Sequence, residues 1–406
     1  MESVAELLII GDGPGAADAD LAAKARGVPV VRAAPRESPG DREEAPGWPW
    51  PFADDTAPSD GASTFPRAFL GGAGSVFVDG PAGLRQARPR RVLIAPRLRP
   101  ARPSWWEGPA RITRPGDQAP ARVIVVGGGQ TGVEVAAAWA ALCHEVLLVE
   151  SADRILPGWD ADQAATAREA LEARGVVVLA GRRAVACAGG TAGTRVVLRA
   201  GGGAPDRTET AAVAVPALGW RPVLGGCGLE RTRALLDRHG HLEVDSRCET
   251  AERGLYAIGA ALSLPLTPAG ARGQAALVAA IAAGDSPAPL RQALVPRVIS
   301  QPVPLLAIGL SAAGAAARGI RAGTGRAQAP DGTWVRCVSD LETGAVIGLQ
   351  AAGPLAGGFQ PGAEAVFDDR RKVEPASAAS EPRVAALAPL LATARALSTN
   401  ERTAHG

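Results

Sequence analysis

One pattern limits what this chain can fold into more than any other, and it occurs twice: an apolar strand, a tight glycine turn, a helix and a second apolar strand. In "RVIVVGGGQTGVEVAAAWAALCHEVLLVES" (122–151), the strand Val123–Val126 runs into Gly127, Gly129 and Gly132, and the second strand, Val146–Val149, is closed by Glu150. In such a unit the first glycine permits the bend and the second lets backbone approach a pyrophosphate. The third lets the helix lie close on the strand, and the helix N-terminus offers N–H groups to phosphate. A carboxylate closing the second strand accepts from a ribose 2′-hydroxyl and repels a 2′-phosphate. Gly127, Gly129, Gly132 and Glu150 therefore predict NAD(H) binding.

The other copy is "LLIIGDGPGAADADLAAKARGVPVVRAAP" (7–35), with a strand at Leu7–Ile10 and a second strand read at Val28–Val31. Gly11, Gly13 and Ala16 hold its glycine-turn positions, but Arg32 stands where a ribose-gripping carboxylate is expected. Paired with a phosphate, Arg32 would be a different grip; otherwise the ribose contact is lost.

A chain of 406 residues exceeds one ordinary core and predicts two or three domains. Its 47% hydrophobic and 21% charged content is that of a soluble globular protein, and a net charge of +2 gives no reason to expect nucleic acid or an anionic membrane. The stretch from Arg85 to Arg111 is dense in arginine beside Trp105 and Trp106, but several of these arginines flank prolines. It reads as a solvated crossover rather than a nucleic-acid surface. The start, Met1-Glu2-Ser3-Val4-Ala5-Glu6, is acidic and unlike a signal peptide, and the apolar stretch 275–284 is about half a membrane span. These features predict a cytoplasmic protein. Cys143, Cys187, Cys227, Cys248 and Cys337 are scattered, with only His144 near any of them, which predicts buried thiols and neither a disulfide framework nor a metal site.

Between the two units, 35–65 is rich in Pro, Gly and acids and reads as an irregular surface segment carrying Trp48 and Trp50. Strands are predicted at 74–80 and 90–96, and a helix at Arg272–Ala283. From Pro296 onward the pattern is strand, helix, strand, turn and strand, with Glu342-Thr343-Gly344 at the turn.

In order along the chain, the two glycine turns, "LPGWDAD" (156–162), "LGWRP" (218–222), "GLYAIGA" (254–260), "PRVISQP" (296–302) and "DLETGAVIG" (340–348) resemble the pyridine nucleotide–disulfide oxidoreductases, the dihydrolipoamide dehydrogenase branch above all. The resemblance implies an α/β protein with two Rossmann-like dinucleotide-binding domains, the NAD domain inserted in the FAD domain, and a C-terminal α+β dimerisation domain. The corresponding limits are 1–118 and 241–290 for the two parts of the FAD-type domain, 119–240 for the NAD domain and 291–406 for the dimerisation domain. It also implies that Glu134, just past the third glycine, lies near the nicotinamide. A helix-start carboxylate favoured by the helix dipole explains that residue equally well.

The chain departs from the family where the family does its chemistry. No cysteine lies in 35–65, where the resemblance implies a CxxxxC redox pair. The implied Ala-Thr-Gly turn beside the flavin is Ala95-Pro96-Arg97, the implied Gly-Asp that holds the ribityl–phosphate region is Gly259-Ala260, and the terminal His-Pro has only Glu374-Pro375 as an echo. With Arg32, Pro96, Arg97 and Ala260 in these positions, FAD binding is not expected to survive intact, whereas NAD(H) binding is. Three functions remain open. One is an oxidoreductase passing hydride from NADH to a small-molecule substrate, directly or through a loosely held FAD. Another is a non-redox cyclase or lyase reusing the fold, and the third is a noncatalytic partner of an intact paralogue. No nucleophile–base pair can be assembled from histidines at 144, 239, 241 and 405, so no catalytic residue is assigned.

"VPLLAIGL" and "AVIGLQAAG" carry little polar alternation, which predicts strands buried on both faces, in the region where the resemblance implies a dimer contact. Light scattering is expected to give a homodimer at micromolar concentration; a stable monomer would reject it.

Overall fold

The computed structural model describes residues 5–13, 15–35, 67–72, 74–80, 83–107, 120–142, 145–190, 193–201, 205–263, 268–289, 295–356 and 393. The irregular segment past Pro35, with Trp48 and Trp50, lies outside these residues, as do Cys143, His144, Glu374-Pro375 and His405. The described elements open with β1 (Leu7–Ile10), α1 (Ala16–Lys24), β2 (Val30–Pro35), β3 (Arg67–Gly72), β4 (Ser75–Gly80), β5 (Gly83–Ala87), β6 (Arg91–Ile94) and β7 (Leu98–Pro100). Next come β8 (Trp106–Glu107), β9 (Arg122–Val126), α2 (Gln130–Ala140), β10 (Glu145–Val149), α3 (Ala161–Glu172), β11 (Val176–Leu179), β12 (Arg182–Gly190), β13 (Gly193–Ala200), β14 (Arg207–Ala211) and β15 (Val213–Pro216). The rest are β16 (Trp220–Pro222), β17 (Leu255–Ala257), α4 (Pro268–Ala282), β18 (Arg297–Ile299), β19 (Leu305–Gly309), α5 (Ala312–Ala316), β20 (Ala322–Gln328), β21 (Trp334–Asp340) and β22 (Val346–Ala352).

The chain divides into two compact units, Met1–Arg99 with Trp220–Gln292, and Pro100–Gly219 with Ala293–Gly406. In the first, a sheet runs in the order β17-β6-β1-β2-β3-β4-β5, parallel from β17 to β3 and antiparallel beyond. Because β1 is central, both its faces are covered. Leu7 and Ile9 pack with Ala16 and Ala19 of α1 and Val278 of α4, while Leu8 and Ile10 pack with Val92, Ile94 and Leu255. That explains why Leu7–Ile10 is an unbroken apolar run.

One expectation is corrected here. The second strand does not end at Arg32 but continues to Pro35, because β3 pairs with its far end at Ala34↔Arg67 and Pro35↔Ala68. Sequence alone could not show that partner, since it follows the long segment after Pro35.

In the second unit, the parallel sheet β11-β10-β9-β15 is covered on one face by the antiparallel strands β12, β13 and β14. Ile124, Val126, Leu147 and Val149 meet Val196, Leu198 and Trp106 there. The C-terminal sheet, β18-β19-β22-β21-β20, is antiparallel throughout, and Leu306, Ile308, Val335, Leu349 and Ala351 form its core. Helix α3 is fastened to it by polar groups. The Gln163 side chain, wholly buried, donates from Nε2 to the carbonyls of Leu306 (2.8 Å) and Ala351 (2.9 Å). Arg336 pairs with Asp160 at 2.8 Å and with Asp162, and the Arg326 guanidinium lies 4.5 Å from the Trp334 ring centroid. No helix among the described residues is long and apolar enough to cross a membrane, and no His/Cys/Asp/Glu group among them is arranged to hold a metal.

Candidate nucleotide site

The turn between β9 and α2 is built from contacts that only glycine permits. Gly127 takes φ +109 and donates its N–H to the Val149 carbonyl at 2.8 Å. A Cβ on Gly132 would overlap the Gly127 carbonyl oxygen, so the start of α2 lies directly against the end of β9. Gly129 differs from both. It is the N-cap of α2, in extended conformation, and a Cβ built there would meet nothing among the described residues within 4 Å. Packing among the described residues therefore gives no reason for glycine at 129; an approaching ligand would. The helix behind it has 11 residues, no capping side chain and no acid in its first turn, so the positive end of its dipole is left for a ligand.

Glu150 is buried beside this turn. Its carboxylate accepts from the Gly128 N–H (2.7 Å), the Ala152 N–H (2.7 Å) and the Ser151 hydroxyl (3.0 Å). A carboxylate has about four acceptor positions, so these bonds hold it in one orientation without exhausting it. A Cβ on Gly128 would lie 2.8 Å from the Glu150 Cβ, which explains the middle glycine that the fingerprint itself does not require.

The first turns of α2 are tied to the strand β18. Gln130 Nε2 donates to the Val298 carbonyl (2.7 Å), and the Ser300 N–H donates to Glu134 Oε1 (3.0 Å). Glu134 is only 7% exposed, its Oε2 has no hydrogen-bond partner among the described residues, and burial pushes its carboxyl up to about 7, against the lowering effect of the Ser300 bond. It thus holds its proton well above the range of an ordinary helix-start carboxylate. Sequence reasoning singled out Glu134 but missed Gln130, Val298 and Ser300. Their bonds span more than a hundred residues, and no local pattern announces them.

The β1–α1 turn has the same frame with different contents. Gly11, at φ +130, donates to the Ala33 carbonyl (2.9 Å) as Gly127 does to Val149. The register Ile10↔Ala33 matches Val126↔Val149, which makes Ala34, not Arg32, the counterpart of Glu150. The side chain in the ribose-gripping position is a methyl group, and Arg32 lies two residues back, opposite Ile9. Gly13 donates to the Ala95 carbonyl at 3.0 Å, and a Cβ on it would overlap the carbonyl oxygen of Pro96. Ala16, at the start of α1 in the place of Gly132, is fully buried. Ala260 is buried in a short 3-10 turn, where Gln274 Oε1 accepts from the Gly259 N–H at 2.7 Å. The cysteines among the described residues, Cys187, Cys227, Cys248 and Cys337, are buried and form no disulfide with one another. Burial pushes Cys187 up to about 11 and, helped by the charge of Asp245, Cys248 up to about 12.

A family model for pyridine nucleotide-disulphide oxidoreductases matches residues 110–284. Over that stretch the chain is similar to this family. Dihydrolipoyl dehydrogenase from Thermus scotoductus is 34% identical over 181 residues, 45% of this chain and 39% of that protein. NAD(P)H dehydrogenase (quinone) from Mycobacterium tuberculosis is 36% identical over 177 residues, 43% of this chain and 35% of that protein. These matches thus span well under half the length of the relatives. The crystal structure of LpdA from Mycobacterium tuberculosis is similar in fold, with a TM-score of 0.76 at 21% identity over 97% of this chain and 99% of that one. The fold is therefore the α/β architecture with two Rossmann-type domains.

The burial of Glu134 has a measurable sign. The folded chain keeps this proton to about pH 7, whereas an unfolded glutamate loses it near 4.5. Its contribution to stability is therefore fully present below 4.5 and is lost as pH rises through about 7. Glu134→Gln keeps an acceptor for Ser300 but cannot ionise. At about 1.4 kcal/mol per unit, it should gain up to roughly 3 kcal/mol over the parent between acid and mildly alkaline pH. Urea denaturation of both proteins across that range checks this, and a constant difference would show that Glu134 titrates normally.

Proposed function

We propose that this chain is an NAD(H)-dependent oxidoreductase acting on a small molecule without disulfide chemistry. The observation that carries the reading is the pairing of an open glycine position, Gly129, with a buried carboxylate, Glu150, already bonded to the neighbouring Gly128 N–H. The residues present fit a nicotinamide nucleotide. Gly127, Gly129 and Gly132 shape the turn, the α2 N-terminus faces phosphate charge, and Glu150 offers its remaining acceptor position to a ribose diol. When bound, such a nucleotide gives or takes a hydride. Glu134 contributes a carboxyl that holds its proton to about pH 7, with Oε2 still able to bond a polar group. Gln130 and Ser300 hold that end of α2 to β18, so the carboxyl does not swing into water. A dimer through 291–406 belongs to the same proposal.

Dihydrolipoyl dehydrogenase is among the relatives, but thiol chemistry needs an accessible thiolate with a second thiol to resolve the mixed disulfide. Segment 35–65 has no cysteine, and the described thiols are buried, with Cys187 and Cys248 pushed far above neutral pH.

NADH should bind more tightly than NADPH. A hydrogen bond to a charged group contributes about 1.5–3 kcal/mol, so Glu150→Ala should weaken NADH about tenfold or more. Glu150→Gln, which keeps an acceptor for Gly128 but removes the charge, should lose most of the discrimination against NADPH. Equal affinities of the parent chain for the two nucleotides in a fluorescence titration would overturn the assignment.

Lipoamide and glutathione disulfide should not be reduced. Sustained NADH-dependent turnover of either, abolished by replacing the cysteines, would restore disulfide chemistry to this chain.

A further inference from the structure

The chain contains its own control: two turns of one design, one of which can be tested for fit against the other. In each, the first glycine sits where a Cβ would overlap a carbonyl from the neighbouring strand's end, Ala95 for Gly11 and Ala217 for Gly127. Ala95 and Ala217 are therefore counterparts. Beyond them the turns part. After Ala217 the chain leaves the space at Gly129 open. After Ala95, the Pro96 carbonyl oxygen lies against Gly13, at the position that corresponds to Gly129.

We infer that the first turn has been closed by its own chain: the Ala95-Pro96-Arg97 segment takes the place in which the second turn leaves room for a pyrophosphate, so the first domain does not bind FAD. The chemistry of the occupant matters as much as its bulk. A phosphate needs N–H donors and a positive local field, and a carbonyl oxygen presents the opposite. The Gly13 N–H, a donor such a ligand would use, is already bonded to the Ala95 carbonyl at 3.0 Å. The Ala34 side chain has no acceptor to offer in the place of the Glu150 carboxylate. Ala260 is buried without a carboxylate, and the Gly259 N–H is taken up by Gln274. The glycines at 11 and 13 are explained by close packing of backbone on backbone, with no ligand required. The family resemblance leads one to expect FAD; the residues present do not fit it. In combination with the proposed NAD(H) site, this leaves one nucleotide-binding turn per chain.

Two measurements on the full-length chain test this. The first is the flavin content of protein purified from riboflavin-supplemented cells, read from its visible spectrum before and after denaturation. The second is the stoichiometry of ADP-ribose, whose ADP portion is common to FAD and NAD and is what both kinds of site grip through a turn of this kind. The expected results are a colourless protein, no FAD binding in titration, and one ADP-ribose per chain whose affinity falls about tenfold or more in Glu150→Ala. Copurification of near-stoichiometric FAD, or a second ADP-ribose unaffected by Glu150→Ala, would overturn the inference. The variant Ala34→Glu separates a closed turn from one that has only lost its acid. It should gain no FAD binding, and a gain would mean that the turn is open after all. If the parent chain binds no ADP-ribose whatever, the NAD(H) reading falls, while a colourless protein that ignores FAD still supports the closed first turn.

Discussion

Most of what this chain can do depends on one contact: the start of α2 pressed against the Gly127 carbonyl at the end of β9, possible because Gly132 has no side chain. Add a Cβ and the helix must withdraw, at a cost typical of overpacking, about 1–3 kcal/mol. More than stability would be lost. The contact aims the positive end of the helix dipole at the space before Gly129 and sets β10 so that Glu150 reaches the Gly128 N–H. Helix direction, open turn and acid are one geometric fact with three consequences.

A second set of ties fastens α3 to the C-terminal sheet and the start of α2 to β18. Gln163 satisfies two carbonyls of the C-terminal sheet from within α3, and Arg336 pairs with Asp160 and Asp162 of the same helix region. Breaking a buried bond of the Gln163 kind leaves an unsatisfied carbonyl that costs about 1–3 kcal/mol. These ties, like Gln130–Val298 and Ser300–Glu134, join elements that are far apart in sequence, and the Ser300 bond reaches the buried Glu134 directly. The unusual carboxyl is a product of tertiary packing and not of its local helix.

The alternation of apolar runs and glycine turns made both Rossmann-type units legible, because a central parallel strand must be apolar on both faces and a glycine must stand where backbones touch. The second turn and Glu150 could be read residue by residue for the same reason. The first could not. Arg32 was placed two residues out of register because the partner that lengthens β2, the β3 strand at Arg67–Gly72, lies beyond a segment with no pattern to follow. Strand β5, exposed along its whole length, carries no hydrophobic pattern that would reveal its pairing with β4. Gln130, Val298 and Ser300 were invisible because their roles arise from contacts across the fold.

The two kinds of buried titratable group point the chemistry in one direction. Burial raises thiol and carboxyl alike by disfavouring the charged form. Starting from 9.0, it carries Cys187 and Cys248 to about 11 and about 12, where these two thiols stay protonated at neutral pH. Starting from 4.5, it carries Glu134 to about 7, where both protonation states are populated and proton exchange is easiest. The same physical effect silences the sulfur and tunes the carboxyl. Both shifts accord with the proposed reading, in which a nicotinamide nucleotide and an oxygen acid, rather than Cys187 or Cys248, carry the chemistry.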